Sequence, residues 1–196
     1  VGADVSSQPF GRGLSDGGCH VAVTPDEKIG ILEVSPQQVL NALEQFRSVV
    51  SFDGGDLEDL YDDLNDEYER SQSRAEAVSE RIDEVESVAG ALFEEWEEEL
   101  EEFSRADMKR ESKALLDDTR GRYTQMMAAM RRAENTMEPV LEAFQDQVLY
   151  LKHNLNARAI GSLRNELADI ERDTDRLVRE MQKAIAEADT FIQSMK

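Results

Sequence analysis

The chain is poor in the residues that carry most site chemistry. It has one cysteine, Cys19, and two histidines, His20 and His153. A single thiol cannot close an intrachain disulfide. One cysteine with two histidines cannot build a zinc site without help from carboxylates. No Gly-Lys pair occurs, which excludes the phosphate-binding loop of nucleotide hydrolases. Gly17 and Tyr150 stand three residues before the histidines, so the paired Glu-x-x-His of di-iron bundles is absent. No run approaches the ~20 apolar residues of a membrane-spanning helix. A charged start followed by an apolar core, the form of a secretory signal, is missing too. The chain begins with Val1, as expected of a processed or trimmed product or of a literal reading of a GTG start codon.

Helix-breaking and bulky residues are also scarce: 4 prolines among 196 residues, and 6% aromatics. Such a composition suits long helices. From Leu57 to Met195 apolar residues recur every three or four positions. Over 160–195 they are Ile160, Leu163, Leu167, Ile170, Thr174, Leu177, Met181, Ala184, Ala188, Phe191 and Met195. Alternating steps of three and four put these side chains on one stripe, which is how long helices pack along their length.

Net charge is −21 and unevenly spread. Residues 56–103 hold 20 acids and 3 bases, residues 104–196 hold 16 of each, and residues 1–55 hold 7 acids and 3 bases. So much negative charge repels nucleic-acid phosphates and anionic lipid headgroups. Direct nucleic-acid binding is therefore not expected, and a basic protein partner is compatible.

The pattern predicts an all-α fold: an elongated antiparallel bundle of three long, coiled-coil-like helices plus a shorter N-terminal helix. Residues 1–36, with six glycines and three prolines, read as an irregular or disordered arm that includes Cys19 and His20. Residues 37–196 read as the bundle domain, with helices at about 37–51, 57–103, 107–153 and 157–194. Pro36 suits a first helical position, where its missing N–H costs nothing. Phe52-Asp53-Gly54-Gly55 ends the short helix, and Asp56 can cap the next.

The second stripe runs Leu57, Leu60, Leu64, Tyr68, Ser71, Ala75, Val78, Ile82, Val85, Ala89, Leu92, Trp96, Leu100, Phe103. Trp96 is expected inward with Leu92 and Leu100, and most glutamates of 94–99 outward. After a turn at 104–107 the third stripe runs Met108, Ser112, Leu115, Thr119, Tyr123, Met126, Met130, Ala133, Met137, Leu141, Phe144, Val148, Leu151. Pro139 predicts a bend near 135–139, either as a fresh start capped by Asn135 or as a kink. Met126, Met127, Met130 and Met137 read as gap-filling core. His153-Asn154-Leu155-Asn156 reads as the last hairpin turn, with His153 a polar turn residue. No catalytic, cofactor-binding or metal-ligating residue is expected.

Several blocks are worded like a known family. Leu43-Glu-Gln-Phe-Arg-Ser-Val-Val50, Asp53-Gly-Gly-Asp-Leu57, Leu64-Asn-Asp-Glu-Tyr68, Ala128-Ala-Met-Arg-Arg-Ala-Glu134, Met137-Glu-Pro-Val-Leu141 and Gln147-Val-Leu-Tyr-Leu-Lys-His-Asn-Leu-Asn-Ala-Arg-Ala-Ile160 carry the likeness. The chain resembles an uncharacterised gammaproteobacterial domain-of-unknown-function family of long-helix, often lipoprotein-like proteins. Some members are labelled DNA repair ATPase-like, a label to which this sequence adds neither a nucleotide loop nor a basic face. The resemblance implies an all-helical protein with no established activity, in the periplasm or cell envelope. Cys19 sits roughly where a lipidated cysteine would, yet Asp16 stands where such a site needs leucine. Membrane association is thus implied only if the native N-terminus carries a lipid anchor.

The expected function is a non-enzymatic structural or protein-interaction module of the bacterial cell envelope. A cytoplasmic coiled-coil protein acting beside DNA-maintenance or nucleoid proteins is the alternative. No cofactor is expected. The expected partner is a protein, with a homodimer through the helical stripe as one form.

Overall fold

A computed structural model of the protein describes residues 36–51, 57–154 and 157–195. The expected irregular arm, Cys19, His20 and the Asp53–Asp56 turn lie outside those residues. Four helices make up the fold: α1 (Pro36–Val50), α2 (Leu57–Glu102), α3 (Ala106–His153) and α4 (Ala157–Ser194). Among the described residues there is no strand. At ~1.5 Å per residue the 48 residues of α3 extend about 72 Å, while the 15 of α1 cover about 22 Å.

Consecutive helices run antiparallel, and ion pairs fix their register. Arg131 of α3 bonds Asp83 and Glu86 of α2 at 2.6 and 2.5 Å, and Arg120 bonds Glu97 at 2.6 Å. Lys109 reaches Glu101 at 2.8 Å close to the turn. The bases of α3 thus neutralise one edge of acidic α2. On the other side Arg47 of α1 meets Glu171 of α4 at 2.8 Å. The Arg164 guanidinium donates to the Val50 carbonyl at 3.0 Å, satisfying an acceptor that the end of α1 leaves without an intrahelical donor.

In cross-section the helices form a square at one end. α1 packs on α2 and α4, and α3 packs on the same two from the opposite corner. Its apolar face (Leu43, Phe46, Val49 and Val50) is almost wholly buried, and the Phe46 ring meets Phe144 of α3 edge-on at 5.9 Å. Along the seam the core continues through Met126, Met130, Val148, Leu151, Leu163, Ile170 and Leu177. The four clustered methionines are all buried, as core packing requires.

The stripe differs from expectation where partners run out. Leu92 and Phe103 are exposed, and so are Met108 and Leu115, the latter by 57%. On α3 the neighbouring Leu116 takes the interior position with no exposure at all. The register Tyr123–Phe191 explains this: described α4 reaches about the level of residue 119, and among the described residues the α2–α3 hairpin extends beyond it. With only one neighbour, α3 turns Leu116 toward α2 and leaves Leu115 facing solvent.

Trp96 is half-buried rather than core, and its indole N–H donates to the Ser112 hydroxyl at 2.9 Å across the hairpin. Helix α3 continues unbroken through Pro139, so Asn135 caps no fresh start. Asn154 does end α3, but from φ −140° rather than from left-handed geometry. Its amide side chain donates to the Tyr150 carbonyl at 3.0 Å. Pro36, expected at the end of the arm, is the first residue of α1.

Candidate functional site

Helices α2 and α4 sit on opposite corners of the square, and none of their Cα atoms approach within 8 Å. Between them, over α3, lies a corridor. Where α1 occupies it, the remaining gap among Val39, Ala75, Val140 and Leu177 is only about 30 Å³. Past Pro36 the described residues of the corridor line a groove of about 90 Å³. Val78, Ile82 and Val85 of α2 form one wall, and Ile185 and Ile192 of α4 form the other. The floor comes from Met130, Ala133 and Met137 of α3, with Ala184 and Ala188 beside it. Floor and walls alike are apolar, with alanines set among the methionines.

Polar groups stand along the rims. Arg81 lines the α2 wall and bonds Glu84 at 2.7 Å; Asp189 lines the α4 wall. Glu134 lies at the floor edge, held by Arg131 at 2.9 Å. Beyond the groove an aromatic cluster closes the seam, with Tyr123 edge-on to Phe93 at 5.3 Å and to Phe191 at 6.2 Å. The Arg120 guanidinium covers Phe93 at 5.0 Å while paired with Glu97.

Each acidity that departs from the ordinary has a structural cause. Burial raises the Tyr123 phenol, with the Glu86 charge adding to it, and its hydroxyl finds no partner among the described residues. Burial also raises Tyr68, helped by Glu69 and Glu76. The hydrogen bond from Arg120, then its charge, holds Glu97 below the carboxylate range, and Arg105 does the same for Asp107. These are seam and turn contacts, and among the described residues no acid, base and nucleophile converge in the groove.

Among the described residues no group of three or more His, Cys, Asp and Glu is placed to hold a metal ion. No described helix is long and apolar enough to cross a membrane. His153 is exposed in the last turn of α3. The acidic Glu94–Glu99 run is mostly outward, as its spacing implies. Sequence reasoning missed Glu67, the most buried acid of α2, which pairs with Arg70 at 2.8 Å. It also passes over Gly13-Leu14-Ser15-Asp16-Gly17, which spells the Gly-x-Ser-x-Gly pattern. An elbow needs a strand before that serine and a helix after it, and these residues lie outside the described part.

Compared with known families, residues 28–195 match the protein-of-unknown-function family DUF2959. The chain belongs to DUF2959. Neither a curated protein nor a solved structure matches it. The DUF2959 match includes all four helices, both walls of the groove and its floor, so the groove lies wholly within the family domain.

Proposed function

We propose that the protein is a non-enzymatic helical module that holds or spaces protein partners in the bacterial cell envelope. The observation that carries this reading is the apolar groove, which lies open beside α3 among the described residues. Exposed apolar surface of this kind marks interaction sites. The envelope location comes from the sequence resemblance to lipoprotein-like relatives, and direct nucleic-acid binding runs against the charge of α2. That same acidity favours a second reading, a cytoplasmic module docking on basic nucleoid or DNA-maintenance proteins in place of nucleic acid.

Expressing the full-length native gene, fractionating the cells and crosslinking to identify neighbours tests both. Envelope proteins should dominate under the first reading and nucleoid proteins under the second. Purified protein that turns over a substrate, and stops when one buried polar residue is replaced, would overturn both.

A further inference from the structure

Helix α1 stops short of the groove, but its sequence pattern does not. Counting back from Val50, the buried or half-buried positions Phe46, Leu43, Val39 and Pro36 fall at steps of four, three, four and three. The next two positions on that count are Leu32 and Ile29. Residues kept at this spacing share one helical face, so both apolar residues belong to the stripe that α1 buries.

Contacts along α1 set its level against the neighbouring helices. Arg47 meets Glu171, Arg164 reaches the Val50 carbonyl, and Val39 shares the small gap with Ala75 and Leu177. One step back along α1 is therefore one step forward along α2 and α4. Carried upstream, Leu32 comes level with Ile82 and Ala184, and Ile29 with Val85 and Ala188, all four of which line the groove. Glu33 comes level with Arg81, which bonds Glu84 through one guanidinium nitrogen. Lys28 comes level with Asp189. Both pairings are of opposite sign.

Length and tether agree with this register. The family match opens at residue 28, and α1 begins at Pro36. At ~1.5 Å per residue the stretch between them covers about 12 Å, against about 16 Å from Met181 to Ile192 along the α4 wall. Pro36 has no N–H to offer residue 32, so the line bends there, and α3 likewise passes Pro139 in this bundle. A segment held covalently at the groove's end has an effective concentration there of about millimolar. A second copy has no such tether and brings a net charge of −21.

We infer that residues 28–35 continue the line of α1 and cover the groove, with Leu32 and Ile29 as the seated side chains. The inference goes beyond the partner-holding reading and does not rest on it. A partner reaches the groove by displacing this segment, which acts as a built-in competitor.

The test uses the full chain with Cys19→Ser, which removes the native thiol. Leu32→Cys with Ala184→Cys, oxidised in dilute solution, should close an intrachain disulfide at least tenfold faster than Leu32→Cys with Gly161→Cys. Gly161 lies at the other end of α4, where an added methyl meets nothing within 4 Å. Ile29→Cys with Ala188→Cys serves as a second pair if the reduced form of the first melts below wild type. Ile29→Ser with Leu32→Ser should raise Nile red fluorescence at least threefold by uncovering the groove.

Equal rates for the test and control pairs, or unchanged Nile red fluorescence, overturns the inference. So does a disulfide between two chains in place of the internal one, since the occupant is then a second copy. Equal rates together with partners crosslinked in cells would remove the segment and leave the partner-holding reading standing. A fast internal disulfide with no partner crosslinked in cells would do the reverse.

Discussion

Thr174 occupies a stripe position of α4 with 0% exposure, and its hydroxyl has no hydrogen-bond partner among the described residues. A buried, unpaired hydroxyl costs about 1–3 kcal/mol, while valine has nearly the same shape. Thr174→Val should therefore raise the melting temperature by about 2–4 °C per kcal/mol recovered. A thermal melt by circular dichroism checks it, and a lower melting temperature would mean the hydroxyl has a partner after all. Glu97 yields a pH prediction. Its folded-state acidity is strengthened by Arg120, so the pair's stabilisation is present above the ordinary carboxylate value of 4.5. It is lost as pH falls through the lower folded value. Wild type should melt above Glu97→Gln at pH 7, and the gap should close on acidification below about pH 4. A constant gap down to pH 2 would contradict the Arg120 contact.

Helices tolerate glycine at a cost, and α2 and α3 each carry one in an exposed interior position, Gly90 and Gly121. A methyl group at either meets nothing within 4 Å. Gly90→Ala and Gly121→Ala should each add about 0.5–1 kcal/mol by helix propensity alone, and the two should add independently in denaturant titration. The extent of the elements was legible in the sequence because their periodicity is long and nearly unbroken; bounds fell within one residue at every end. Facing was legible only where two neighbours flank a helix. Leu115 fits the stripe as well as Leu116 does, and only the stopping point of α4 decides between them. Trp96 reads as core from its spacing, but a polar Ser112 across the hairpin draws its N–H toward the edge. Pro139 reads as a bend, by a fresh start or a kink; the fresh start does not occur, since Met137 and Val140 beside it are both buried and packing carries the helix through.

Seen whole, the molecule separates charge and apolar surface in a way the sequence only half discloses. The acidity of α2 is plain from composition. That one flank of it is paired with Arg120, Arg131 and Lys109 of α3 required the helix order around the square. The groove itself was not legible, since an apolar stripe carries no mark of whether its fourth neighbour is present.

The projecting α2–α3 hairpin gives the assembly a gradient of rigidity. Near Phe46 and Leu151 four helices brace one another; around Trp96 and Ser112, among the described residues, two helices stand as a cantilever held by side-chain bridges. Backbone amides of residues 95–115 should therefore exchange with deuterium well before those of residues 140–151, through local opening rather than global unfolding. Whatever grips that far tip would stiffen it, and slowed exchange there would report the grip from a distance.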